Sequence, residues 1–191
     1  MTRLHLVRHL PALGAEGRAI GHTDLPLAEP DAPARLASAW PLAPPDRIVT
    51  SPLQRAAHTA AALGAAWGLD IEHEPRLREV DFGRWDGRTW ADIEHDDAEA
   101  LEAWMADWTV TPAPGGESFA DVQDRVRAWL AEQEGRAQDI VVVAHAGTIR
   151  AVLVHVLGLE AGHAFRLAVA HGALTTVHLQ PALLVTLNQP L

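Results

Sequence analysis

Leu4-His5-Leu6-Val7-Arg8-His9, near the start of the chain, and Ile140-Val141-Val142-Val143-Ala144-His145-Ala146-Gly147, near its end, decide the fold. Each is a short apolar run that finishes on a histidine. Runs of this kind suit strands buried on both faces of a parallel sheet. In open α/β sheets, ligands bind just beyond the carboxyl ends of the strands. Arg8, His9 and His145 are therefore placed to meet over one ligand, although they lie far apart in sequence. Arginine with histidine, and no cysteine, points to an anionic, phosphorylated ligand.

Working outward, strands alternate with helical segments. Residues 3–7 are a strand, and the Gly/Pro/Ala-rich stretch 10–30 is a loop over the sheet edge. Residues 31–40 read as a helix stopped by prolines, and 47–50 as a short strand. A helix follows to about Trp67, with Ser51 as N-cap and Pro52 at its first position. Ile71–Leu77 reads as a strand, 78–87 as a loop, and Thr89 to about Trp108 as a mostly continuous helix. Ser118, with Asp121 at capping-box spacing, starts a helix that runs to Glu134. Residues 140–144 are a strand, 147–158 a helix, and 174–179 with 183–187 a closing pair of strands. The alternation predicts a three-layer α/β/α sandwich with a mostly parallel central sheet.

The 191 residues suit one domain, 1–191. With no cysteine, disulfides, thiol catalysis and zinc–thiolate sites are excluded. No apolar run approaches the ~18 residues of a membrane span, and no basic segment followed by a long apolar stretch marks a signal peptide. A cytoplasmic protein is the expectation. Net charge is −10, which argues against nucleic acid as a partner. A phosphate pocket must then be a local positive focus in an unfavourable field. The expected partner is a small phosphorylated substrate, with a homodimer left open.

Singly, the chemical groups are bland. Arg8-His9 is a common dipeptide, Arg55 sits where a helix arginine is usually solvated, and Glu79 is a loop carboxylate. Yet the order strand–Ser–Pro–Leu–Gln–Arg puts the Arg55 guanidinium beside a strand exit, where it can fork onto phosphate oxygens. Ala146 and Gly147 open a helix behind His145, and N–H groups there favour an anion. The other histidines show no metal-ligand spacing, so no metal is expected. Arg150 is expected to pair with an acid, and His5 to pack in the core.

Taken together, these segments resemble the histidine phosphatase superfamily, the phosphoglycerate-mutase-like group. The resemblance rests on Leu6-Val7-Arg8-His9; Gly17-Arg18, Gly21-His22-Thr23-Asp24 and Pro26-Leu27; and Ser51 to Ala60. It continues through Leu77 to Gly87, Pro114 to Ser118, and Val142 to Ala151. Within the family, the compact size and the Pro114–Ser118 segment look most like the α-ribazole phosphatase branch of cobalamin assembly.

The resemblance implies that His9 is a nucleophile forming phosphohistidine, and that Arg8, Arg55 and His145 hold the phosphoryl oxygens. Glu79 would be the general acid and base. Ala146, Gly21 and His22 would line the phosphate site, a helical lid would span about 88–115, and no cofactor would be required. α-Ribazole 5′-phosphate is the expected substrate. Trp85, Trp90, Trp104 and Trp108 would either stack on an aromatic leaving group or simply pack the core.

The chain departs from the family pattern at Leu10 and Ala146, where the family has glycine, and in Pro11-Ala12-Leu13-Gly14, where an asparagine that contacts phosphate is lost. Alanine at 146 would be strained if that glycine has positive φ. Three alternatives stay open: a broad-specificity sugar-phosphate or nucleotide phosphatase, a phosphoglycerate mutase, and a degenerate module that binds phosphate without turnover. The mutase lacks support in 88–111, where Arg88 is the one basic residue among acids and tryptophans.

Overall fold

The structure, a computed structural model, describes residues 1–191. Its centre is a six-stranded sheet in the order β3-β2-β4-β1-β5-β6. The strands are β1 (Arg3–Arg8), β2 (Arg47–Thr50), β3 (Ile71–His73), β4 (Asp139–Ala144), β5 (Leu174–His178) and β6 (Leu183–Gln189). β1 to β4 run parallel, while β5 lies antiparallel to β1 and β6 antiparallel to β5. The six α-helices are α1 (Ala32–Ser38), α2 (Gln54–Trp67), α3 (Trp90–Asp96), α4 (Ala98–Ala106), α5 (Phe119–Gln133) and α6 (Ala146–Leu157).

Side-chain alternation along the strands makes the layers. Leu4, Leu6, Ile140 and Val142 face α5 and α6, packing with Val122, Trp129, Ile149 and Val152. Val7, Ile48, Val141 and Val143 face the other way, onto Leu36 of α1 and Ala56, Ala60 and Leu63 of α2. A small separate core of Trp85, Ile93, Ala19 and Ala113, covered by Trp90 and Trp104, holds α3 and α4 together. The expected α/β/α sandwich is thus present, with its mostly parallel sheet. No helix is long and apolar enough to cross a membrane.

Four local expectations change. Ser51 does not cap α2: its Oγ lies 2.8 Å from His145 Nε2, and the helix begins after Leu53. The first N–H of α2 is capped from outside the helix, Gln54 N–H donating to Asp24 Oδ1 at 2.7 Å. The strand read over 71–77 ends at His73, because Pro75 turns the chain into a 3₁₀ turn. The helix read over 89–108 breaks at Asp97, whose carboxylate is drawn to Trp85 Nε1 at 3.1 Å and to Arg88 at 3.0 Å. Ala146 is not strained either: it opens α6, and positive φ outside glycine is confined to Ala137 and Asn188.

The Ser118–Asp121 capping box is formed as expected, with Asp121 N–H donating to Ser118 Oγ and Ser118 N–H to Asp121 Oδ2. Ser118→Ala is expected to lower stability by about 1 kcal/mol, read as a lower urea midpoint at unchanged slope. An unchanged midpoint would show that the box does not hold α5.

Candidate active site

Register builds the site. Arg8 pairs with Ala144 across β1 and β4, and Thr50 of β2 pairs with Val143. The residues that follow, His9, His145 and Ser51, therefore leave the sheet side by side. His9 N–H donates to the Ala144 carbonyl at 3.0 Å, and the two imidazole centroids lie 4.9 Å apart. α2, springing from β2, brings Arg55 to the same edge.

His9 is buried, and its Nδ1 lies 2.6 Å from the Leu10 carbonyl. A carbonyl can only accept, so Nδ1 carries the proton and Nε2 keeps its lone pair. Leu10 thus serves through its backbone. Burial, and then the charges of Arg55, His171 and Arg8, push the His9 pKa well below the ordinary imidazole value. His145 is fully buried and is pushed the same way, chiefly by burial.

Neither arginine at the site has a carboxylate partner. Arg8 Nη1 donates to the Val169 carbonyl at 2.7 Å. Arg55, 1% exposed, donates to the Gly21 carbonyl at 2.6 Å and the Thr23 carbonyl at 2.9 Å. Carbonyls orient a guanidinium without cancelling its charge. Burial lowers both arginine pKa values, opposed by Glu79. Arg8 Nε and His145 Nδ1 are buried without a protein partner. Two orphaned polar atoms on one edge are what a site leaves for ligand oxygens.

Glu79 is held from behind. Its carboxylate accepts from Gly147 N–H and Val80 N–H, both at 3.0 Å. A Cβ on Gly147 would meet the Glu79 carboxylate and displace it from this place. The loop carrying Glu79 is fixed by Arg125, which donates to the carbonyls of Arg76, Arg78 and Glu79 at 2.6, 2.8 and 3.0 Å. Arg8, His9, Arg55, Glu79 and His171 all line one cleft of about 600 Å³. Phe82 and Trp90 also line it, and both also wall a smaller cavity of about 180 Å³ with Trp104, Trp108, Phe119 and Phe165.

Gly21 and His22 stand behind the cleft. The Gly21 carbonyl aims Arg55, and a Cβ on Gly21 would collide with the Val80 carbonyl. His22 Nε2 lies 3.0 Å from the Glu79 carbonyl and Nδ1 3.5 Å from Asp81. Ala146 sits at the start of α6 next to His145. Arg150 has no acid partner: Nε donates to the Leu167 carbonyl at 3.2 Å, and the guanidinium lies 4.9 Å from the Phe165 ring centroid. His5 is buried in the core beside Thr176 Oγ1, at 3.1 Å.

Sequence reasoning passed over Asp86, Arg125 and His171. Asp86 gathers the loop under Arg55, accepting from the N–H groups of Gly21, His22 and Thr23 at 3.3, 2.6 and 3.0 Å. These bonds hold the Asp86 carboxyl below its usual range against the opposing effect of burial. The signal available was its place beside Trp85 and Gly87 in a matched segment. His171 carried no signal beyond the antiparallel sense of β5, which brings that strand's leading end to the active edge.

Asp86→Ala is expected to weaken inorganic phosphate binding by about tenfold or more, because Arg55 loses the carbonyls that aim it. Calorimetry on a variant shown to be folded checks this, and unchanged affinity would overturn it. A second expectation concerns pH. Burial puts the folded-state pKa values of His9 and His145 below the ordinary 6.5. The unfolded chain then binds more protons as pH falls through about 6.5, so stability drains on acidification, by up to about 1.4 kcal/mol per pH unit for each group. Urea midpoints should drop from about pH 7.5 to about pH 5.5, and drop less in His145→Gln.

The family model described as the histidine phosphatase superfamily (branch 1) matches residues 4–187. The adenosylcobalamin/α-ribazole phosphatase of Salmonella typhimurium is 30% identical over 182 residues, covering 92% of this chain and 89% of that protein. The α-ribazole phosphatase structure from Shigella flexneri superposes with a TM-score of 0.90 at 28% identity, covering 98% of this chain and 96% of that one. The mycobacterial glucosyl-3-phosphoglycerate phosphatase, solved with inorganic phosphate, gives 0.85 at 30% identity, covering 98% and 97%. Against the first mycobacterial relatives that it matches, the chain spans 35% of their length. The chain belongs to the histidine phosphatase superfamily.

Proposed function

We propose that the protein hydrolyses phosphomonoesters through a phosphohistidine on His9, with no metal. The observation that carries this is the His9 tautomer: a lone pair on Nε2, kept free by the Leu10 carbonyl, in a cleft whose nearby cations have no carboxylate partners. In the first step the N–P bond forms at Nε2 and the P–O bond to the alcohol breaks. Arg8, Arg55 and His145 stabilise the charge spread over the phosphoryl oxygens. Glu79 gives its proton to the leaving alkoxide. In the second step water attacks phosphorus, Glu79 takes its proton, and the P–N bond breaks to release inorganic phosphate. The arginines supply electrostatically what a metal supplies elsewhere.

The substrate assigned is α-ribazole 5′-phosphate. The names of the Salmonella and Shigella relatives support it. So does the aromatic cavity, which includes Gly147, the residue that holds Glu79, and so adjoins the place where the leaving group departs. In this reading 88–115 is the lid over the site, and the protein works on a small cytoplasmic metabolite. The second reading, a broad-specificity sugar-phosphate or nucleotide phosphatase, draws on the size of the main cleft and on the glucosyl-3-phosphoglycerate phosphatase neighbour.

Hydrolysis of p-nitrophenyl phosphate in excess EDTA is the test. His9→Ala should lose at least about 10³-fold in kcat/KM. Glu79→Gln should lose about 10²- to 10³-fold on alkyl phosphates, and far less on p-nitrophenyl phosphate, whose phenolate leaves without a proton. Activity in His9→Ala, or loss of wild-type activity in EDTA, would overturn the mechanism. A kcat/KM for α-ribazole 5′-phosphate no better than for sugar phosphates would overturn the substrate assignment and favour the second reading.

A further inference from the structure

The His9 ring has a second imidazole neighbour. His171 lies just before β5, with its ring centroid 5.1 Å from that of His9. Its place is fixed by two hydrogen bonds to backbone carbonyls across the sheet edge, one from the backbone and one from its own ring. Gly172 N–H donates to the Arg8 carbonyl at 2.9 Å, and His171 Nδ1 lies 2.8 Å from the His9 carbonyl. Since a carbonyl only accepts, His171 Nδ1 carries a proton, and the lone pair of the neutral ring sits on Nε2. That atom has no partner within the protein. Unlike the buried His9 and His145, the His171 side chain is exposed, and it lines the cleft that holds Arg8, Arg55 and Glu79.

A neutral ring held this way leaves its lone pair on the unbonded nitrogen of a residue that lines the cleft. A lone pair repels an anionic oxygen. A proton on Nε2 turns the same contact into a charge-assisted hydrogen bond, the stronger kind. The charged and titratable groups facing the cleft around it are Arg8 and His9 after β1, Arg55 on α2, Glu79 on its loop, and Glu16 and Arg18 on the loop after β1. Partial burial and then Arg8 keep the His171 pKa below the ordinary imidazole value, with a smaller opposing effect from the bond to His9. An incoming dianion offsets those cations and reverses the balance.

We propose that His171 is a third phosphate-binding histidine, which takes up a proton as the phosphate dianion enters and donates it from Nε2 to a phosphoryl oxygen. This rests on the phosphatase reading of the cleft, and adds to it a binding group that titrates with the ligand. Substrate affinity should fall as pH rises, because the proton that completes the site becomes scarcer. The chemical step at His9 should be little affected.

His171→Asn separates this from a purely structural role. The asparagine amide keeps an N–H donor for the His9 carbonyl and removes the titrating nitrogen. With p-nitrophenyl phosphate, the variant is expected to show KM raised about tenfold near pH 6, with the gap closing towards pH 8 and kcat within about twofold of wild type. Calorimetry of inorganic phosphate in two buffers of different ionisation enthalpy should show proton uptake in the wild type that the variant loses. The ligand's own ionisation is common to both proteins and cancels. KM values that run parallel from pH 5.5 to 8, or a fall in kcat at unchanged KM, would overturn the proposal. Phosphate binding without turnover would sink the phosphohistidine mechanism yet leave the proton count to decide His171. Equal uptake in both proteins, or no phosphate binding by the wild type, would overturn it.

Discussion

The parallel register of β1 on β4 is the constraint on which everything at the active edge depends. Arg8 opposite Ala144 makes His9 and His145 neighbours. A slip of one residue would move one histidine by about 3.3 Å along the strand and turn every side chain to the other face. What forbids the slip is burial on both faces. Leu4, Leu6 and Val142 have helices α5 and α6 to meet, and Val7, Val141 and Val143 have α1 and α2. The hydrophobic core therefore sets the distance between two histidines without touching the ligand. The antiparallel pairing of β5 on β1 extends this to a third strand, delivering His171 to the same edge.

A second constraint is electrostatic. The chain carries −10, yet its site gathers two guanidiniums, Arg55 buried and Arg8 half-buried. An ion pair at either arginine would have made burial easier and left nothing for an anion. Carbonyls of Gly21, Thr23 and Val169 take the hydrogen bonds instead, so orientation is secured and charge is kept. The acids nearby are engaged elsewhere. Asp86 is spent on three backbone N–H groups, and Glu117 on Arg125 at 2.9 Å. Glu79 alone faces the cleft from that side, tied by backbone N–H groups that leave it no cation of its own. The result is a local positive focus inside an acidic protein.

These two constraints explain what was legible in the sequence. The apolar runs ending in His9 and His145 could be read because a doubly buried strand has a composition of its own. The capping box at Ser118 could be read because it is a contact three residues long. Ser51 could not. By local pattern it is an N-cap, but in the fold a histidine 94 residues away claims its hydroxyl. Asp97 breaks a helix for the same reason, drawn away by Trp85 and Arg88. Asp86, Arg125 and His171 act through backbone groups brought near by tertiary structure, which leaves no periodic or spacing signal.

The same distinction separates the reaction from the substrate. The groups that would meet phosphorus stand at strand ends and helix starts, fixed by register. The walls that would meet the leaving group come from segments with no register between them: Phe82 in a loop, Trp90 and Trp104 on α3 and α4, Phe119 on α5 and Phe165 on the 3₁₀ turn after α6. Packing sorts the tryptophans that sequence could not. Trp85 is fully buried, edge-on to Trp104 at 6.0 Å, and belongs to the core. Trp90 and Trp104 stack at 6.0 Å, and Trp108 is wedged between Phe119 and Phe165 at 5.2 and 4.6 Å. Each of these three gives part of its ring to packing and part to the cavity wall. The cavity thus has aromatic sides from two sources: Phe82, Trp90 and Trp104 pack with the small core around Trp85 and Ile93, while Phe119 and Trp108 pack with the main core on the sheet. Changes in the small core can redraw its side of that cavity while the register that holds His9 and His145 together stays as it is.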